Sequence, residues 1–222
     1  MKTLLSWSTG KDCAWALHLL RLQGVEVSAL FTTFNEAFGR VAMHGVRRDL
    51  ARAQAAAAGL PLIELPIPWP CTNADYERIM GGFVADARAE GVTHMAFGDL
   101  FLRDIRVYRE ERLAGTGITP LFPLWDIPTD TLARDMSHAG LRATIACLDP
   151  TKLPEHFAGR DFSEVAAAGL PGIDPCGENG EFHTFCHAGP MFAAPVPHTI
   201  GEVVTRDGFV FCDLLPAEAT PA

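Results

Sequence analysis

Six consecutive residues near the start of the chain, Ser8-Thr9-Gly10-Lys11-Asp12-Cys13, put hydroxyl, ammonium, carboxylate and thiol groups beside a glycine. They follow the apolar run Met1 to Trp7 and precede a helical stretch, Ala14 to Gln23. A strand that ends in small residues and opens into a helix aims backbone N–H groups at one spot, where the helix dipole favours an anion. Gly10 permits close approach and Lys11 adds a mobile positive charge, so the chemistry expected here is binding of a nucleotide's phosphates. The spacing matches neither Gly-x-x-x-x-Gly-Lys-Ser/Thr nor Gly-x-Gly-x-x-Gly, which excludes the Walker and dinucleotide patterns.

A second cluster, Gly177-Glu178-Asn179-Gly180-Glu181-Phe182-His183-Thr184, lies far down the chain between Asp174-Pro175-Cys176 and a short apolar strand around Phe185. Glycines hold a loop in conformations that bulkier residues avoid, so Glu178 and Glu181 are expected to lie close together. There they would hold Mg²⁺ or position a nucleophile. The competing reading is a solvated acidic turn. Asp12 and Asp99 are the further candidates for organising Mg²⁺ or a helix start.

These residues need a frame. Short apolar runs at 3–6, 25–32, 62–66, 94–98 and 142–147 read as strands. They alternate with helical patterns at 14–23, 45–58, 74–90, 104–115 and 129–139. This βα repeat predicts an α/β fold, a doubly wound parallel sheet that binds ligands outside the C-terminal ends of its strands. The phosphate turn and Gly98-Asp99 both fall at such ends. After about Asp149 the chain is richer in Pro and Gly, and Gly201 to Phe211 reads as a hairpin turning at Asp207-Gly208. The expected organisation is a main domain over 1–149 and a smaller C-terminal lobe over 150–222 that carries the Glu178 loop. Pro216 to Ala222 should fray.

Composition narrows the function classes. The 222 residues are 48% hydrophobic, enough for a large core, and carry a net charge of −9. Acidity without a basic run argues against a nucleic-acid partner. No apolar stretch approaches a bilayer span and no signal-like segment opens the chain, so a cytoplasmic protein with no membrane partner is expected. The six cysteines are scattered with no Cys-x-x-Cys pair, which predicts reduced thiols. His183 and His187 share a strand face but lack a third ligand, and Cys176 reads as a small buried residue.

The turn resembles the PP-loop of the N-type ATP pyrophosphatases, Ser-Gly-Gly-x-Asp-Ser, with Thr9 in place of the first Gly and Cys13 in place of the last Ser. Together with the Glu178 loop, the chain resembles the diphthine–ammonia ligase family, which pairs a PP-loop with a later Gly-Glu-Gly-Gly-Glu-Phe/Tyr-Glu-Thr segment. Further matches are His44, Gln54, Gly59-Leu60-Pro61-Leu62, Phe97 to Phe101 and Arg103 to Glu110, so the resemblance runs over most of the chain. Asn179 and His183 depart from the family's Gly and Glu, and Trp7 is more similar to a bacterial branch. Bacteria do not make diphthamide, which leaves the acid substrate open.

The resemblance implies ATP and Mg²⁺ as cofactors, with Ser8, Thr9, Gly10, Lys11, Asp12 and Cys13 on the nucleotide and Asp12 toward the metal. The carboxylates expected to be catalytic are Asp99, Glu178 and Glu181, with His44, Asp104, Arg106, Arg109 and His183 expected on the substrate side. The implied reaction is adenylation of a small-molecule or protein-borne carboxylate, followed by transfer to ammonia or another amine. A tRNA-modifying adenylase and a nucleotide-binding sensor are the alternatives, and a homodimer is left open.

Overall fold

Leu4 and Leu5, neighbours on the first strand, are both buried although a strand turns successive side chains to opposite faces. A sheet covered on both sides follows, and it explains why this strand reads as a continuous apolar run. In the structure, a computed structural model, residues 1–42 and 44–217 are described. Positions 218–222 of the expected frayed tail lie outside them, whereas Pro216 pairs with His198.

The first half of the chain runs β1 (Thr3–Ser6), α1 (Lys11–Leu22), β2 (Val27–Asn35), β3 (Arg40–Val41), α2 (Arg48–Ala58) and β4 (Leu62–Ile67). It continues through α3 (Asn73–Ala89), β5 (His94–Ala96), α4 (Arg103–Leu113), β6 (Thr119–Leu121) and α5 (Thr129–His138). Strand β1 pairs in parallel with β2 and β5, and β5 pairs in parallel with β6. Leu30 and Phe31 of β2 bridge β1 on one edge and β4 on the other. The parallel strands therefore lie in the order β4-β2-β1-β5-β6, which reverses direction between β1 and β5. A ligand crevice is expected at that reversal. The two-residue β3 adds antiparallel to the end of β2.

Leu5 and Leu30 face α1 and α5 in the largest core cluster, while Leu4, Ala29, Phe31 and Met95 face Phe83 and Val84 of α3 and Leu113 of α4. The sheet is thus wound on both faces, as its βα alternation predicts. The three-residue β6, with Pro120 at its centre, carried no strand signal because its pattern is too short to alternate.

The remaining elements are β7 (Arg142–Leu148), α6 (Phe162–Ala168), β8 (Phe182–Ala188), β9 (His198–Arg206) and β10 (Phe209–Pro216). They form an antiparallel sheet in the order β8-β7-β10-β9. Asp207 and Gly208 both take positive φ, 52° and 83°, the geometry that matches a hairpin turn to strand twist.

One expectation changes here. Strand β7 was read as the last strand of the parallel sheet, and it is instead an inner strand of the second sheet. A boundary at 149 therefore cuts that sheet. Burial on both faces makes Ala143 to Leu148 apolar but for Thr144, a pattern that a parallel strand shares. Ile145, Phe182, Cys186 and Val210 of the second sheet enter the same core cluster as α1, so the two sheets share a core. No helix among the described residues is long and apolar enough to cross a membrane.

Candidate active site

The turn between β1 and α1 is held from below. The Cys186 N–H of β8 donates to the Thr9 carbonyl at 2.9 Å, and the Gln54 side-chain amide donates to the same oxygen at 2.9 Å. Gln54 is fully buried and also accepts from the Trp7 indole at 2.8 Å. These clamps hold Thr9 at φ 73°, a left-handed conformation that costs a β-branched residue about 1–2 kcal/mol. The family's glycine at this position takes that geometry freely, and here the surrounding hydrogen bonds impose it. Strain of this kind collects at functional sites.

No side chain among the described residues caps α1, so its first turn keeps N–H donors for a ligand. The exception is the Lys11 N–H, which donates to Thr184 Oγ1 at 3.0 Å and fixes β8 against the helix start. Gly98, after β5, lets the neighbouring strand end approach: a Cβ there would lie 2.9 Å from the Cys13 nitrogen.

Lys11 is 2% exposed. Its ammonium donates to Asp12 Oδ2 at 2.9 Å and to the Cys176 carbonyl, leaving one N–H for a ligand. Burial opposes its charge, yet the Asp12 carboxylate and its neighbours hold its pKa above the ordinary lysine value. Burial raises the pKa values of Asp12 and Asp99 despite Lys11 and Arg109 beside them.

A cavity of about 250 Å³ opens above the turn, at the strand-order reversal. Lys11, Asp12, Asp99, Arg109, Glu178 and His183 all line it, together with Ser8, Cys13, His44 and Thr184. Glu178 accepts from the Leu100 N–H at 3.2 Å, which ties the second lobe's loop to the end of β5. Burial, then the Asp12 charge, pushes the Glu178 carboxyl up to about 7. That value suits proton transfer near neutral pH.

Asp12 Oδ1 and Asp99 Oδ2 are buried with no hydrogen-bond partner among the described residues. Asp99 Oδ2 lies 3.6 Å from Arg109 Nε in an ion pair and Asp12 Oδ1 is without a partner among the described residues, and the two carboxylates fit a divalent cation that takes its remaining ligands from phosphate oxygens. Among the described residues no three His, Cys, Asp or Glu converge as a metal site.

Several expected site residues lie elsewhere. Glu181 is 2% exposed and off the cavity: its Oε1 accepts from the Asp174 N–H at 3.0 Å and from Asn179 Nδ2 at 3.4 Å. It braces the loop that presents Glu178. Asp104 is exposed, and Arg106 pairs with Glu110 at 2.8 Å while lying over Phe122 and Trp125. Helical spacing is the reason: Leu102, Ile105 and Arg109 share the face of α4 that meets the cavity, and 104 and 106 do not. Thr9 and Gly10 sit beneath the lining. Thr184 and Gly98 were legible only as parts of longer motifs.

The His44 ring packs against His183 at a tilt of 34° with centroids 4.8 Å apart, and its Nδ1 is 3.0 Å from the Thr184 carbonyl. A Cβ at Gly10 would lie 2.8 Å from the His44 ring. Gly10→Val is therefore expected to fold but to push His44 into the cavity and cut ATP affinity at least about tenfold. Calorimetric titration checks this, and unchanged affinity contradicts the assignment of the turn.

Burial holds His44 at about 3 and both His183 and His187 at about 4. Each is neutral when folded and titrates near 6.5 when unfolded. Their contribution is complete above pH 6.5 and falls by about 1.4 kcal/mol per unit per histidine as pH drops toward 4. The raised carboxyls of Glu178, Asp12 and Asp99 run the other way as pH falls, so the histidine contribution is read by comparing variants. In urea unfolding between pH 7 and 4.5, the wild type should lose stability relative to His183→Gln as pH falls. An equal dependence on pH in both would contradict a buried neutral His183.

Among curated proteins no relative matches the chain. The family model described as the diphthamide synthase N-terminal domain matches residues 1–112, which hold the phosphate turn, His44, Gln54, Asp99 and Arg109. That span is half of the 222 residues, and the chain accordingly belongs to the diphthamide synthase family of PP-loop, ATP-utilising enzymes.

Proposed function

We propose that the protein is an AMP-forming ligase that joins a carboxylic acid to ammonia or another amine. The acid's carboxylate oxygen attacks the α-phosphorus of ATP, giving an acyl-adenylate and expelling pyrophosphate. Nitrogen then attacks the acyl carbon, the bond to AMP breaks, and the nitrogen loses a proton. Hydroxide is a poor leaving group and AMP a good one, so adenylation makes the second step accessible.

The observation that carries this reading is the placement of Glu178, which the Leu100 N–H holds at 3.2 Å on the same cavity as Lys11 and Asp12. A nucleotide sensor needs the phosphate turn but has no use for a proton acceptor brought in from the second lobe. A ligase does, because the amine must shed its proton. The other residues divide the work. Lys11 and the free N–H groups of α1 neutralise charge growing on the pyrophosphate. Arg109 meets the incoming carboxylate, and Glu181 keeps the loop in shape. Mg²⁺, held by Asp12 and Asp99, supplies further charge neutralisation on the phosphates when bound.

Incubation with ATP, Mg²⁺, ammonium and a panel of carboxylic acids tests the reading. The expected phosphorus NMR spectrum shows AMP and pyrophosphate with a competent acid. ADP as the main product would overturn adenylation.

A further inference from the structure

A second cavity, of about 190 Å³, lies on the sheet face that carries α3 and α4. Phe31, Met80, Val84, Met95 and Leu113 give it an apolar lining, and both tyrosines of the chain, Tyr76 and Tyr108, stand in its wall. Arg112 lies over the Tyr108 ring at 5.2 Å and pairs with Glu77 at 2.8 Å, so an ion pair joins α4 to α3 beside the cavity. Gly81 of α3 lines it too, and a Cβ there would meet nothing within 4 Å. A glycine inside a helix costs about 1 kcal/mol relative to alanine, and here it leaves open space unfilled.

This cavity shares two wall residues, Phe97 and Arg109, with the nucleotide cavity. The Arg109 guanidinium lies over the Phe97 ring at 4.8 Å. Its Nε is buried without a hydrogen-bond partner among the described residues, 3.6 Å from an equally unpartnered Asp99 Oδ2. A guanidinium held by this one long ion pair is a ready fork for a second carboxylate, and it lines both cavities.

We propose that the second cavity takes the apolar, ring-sized tail of the carboxylic acid that the enzyme activates, with Arg109 gripping the carboxylate where it faces the nucleotide. The proposal rests on the ligase reading and adds the substrate class, an arylalkyl or short branched aliphatic acid. The phosphate turn lines the first cavity and not this one, which leaves the second cavity to the other substrate. Phe31, Met80, Val84, Met95, Phe97 and Leu113 make the part of the lining against the sheet apolar, which favours a hydrocarbon tail over a sugar or polyol there.

Phenylacetate, with acetate and phenylacetamide as comparators, tests this by calorimetric titration of the full chain. Phenylacetate should bind at least about tenfold more tightly than either comparator. Gly81→Leu fills the open space with a better helix former, so its thermal midpoint should rise while phenylacetate affinity falls at least about tenfold. Arg109→Gln should erase the preference for phenylacetate over phenylacetamide. Phenylacetate binding that is no tighter than acetate binding, or that survives Gly81→Leu in a folded protein, overturns the assignment. AMP and pyrophosphate formed with acetate but no phenylacetate binding would overturn the cavity's role and leave the ligase reading standing. Phenylacetate binding that responds to both variants, with ADP as the nucleotide product, would support the cavity and overturn the ligase reading.

Discussion

Glu178→Gln is expected to lower amide formation by about 10²–10⁴-fold while ATP affinity stays within a few-fold. Glutamine keeps the size of the side chain and an oxygen for the Leu100 N–H, but it cannot accept the amine's proton. Because burial pushes the Glu178 carboxyl up to about 7, the wild-type rate at a fixed concentration of free ammonia should rise through neutral pH as the group ionises, and that limb should vanish in the variant. Glu181→Gln supplies the contrast. Its Oε1 contact to the Asp174 N–H can be kept by an amide oxygen, so turnover should stay within about tenfold and the effect should fall on stability. Initial rates of AMP release across pH, with nucleotide titrations, separate the two. Equal losses in both variants would contradict the division of roles.

Lys11→Met is the second large effect. Removing the ammonium withdraws the charge facing the pyrophosphate, a loss of about 10²–10³ in turnover by comparison with other preorganised donors. It also strands Asp12 and the Cys176 carbonyl, both of which the ammonium now bonds. Breaking a buried pair costs about 3–5 kcal/mol, and the quarter exposure of Asp12 places this one toward the lower end. Adding Asp12→Asn should restore much of the stability and none of the turnover. Urea unfolding of the single and double variants reads the first quantity and AMP release reads the second. Full turnover in Lys11→Met would contradict its place on the phosphates.

The phosphate turn was legible because its chemistry is local: a strand end, small residues and a helix start lie within thirteen positions. The βα alternation was legible for the same reason, each strand and helix carrying its own period. Strand β7 was not, since an apolar run says that both faces are buried but not which sheet buries them. Glu178 and Glu181 carry the same functional group three residues apart, and only the fold aims one at the cavity and the other at the backbone of its own loop. Along α4 the charged positions 104, 106 and 109 look alike in sequence. The register of the helix against the sheet selects Arg109, and that register is set by contacts far away in the chain. The pairing of Gln54 with the Thr9 carbonyl was equally hidden, because it joins residues 45 positions apart.

The central claim, that a carboxylate oxygen attacks the α-phosphorus, is tested most directly with a competent acid labelled with ¹⁸O in its carboxylate. Turnover with ATP and ammonium, followed by mass spectrometry of the nucleotide product, reads the bond formed. The account predicts AMP carrying one ¹⁸O, with unlabelled pyrophosphate. Unlabelled AMP, or ADP with the label in inorganic phosphate, would contradict it.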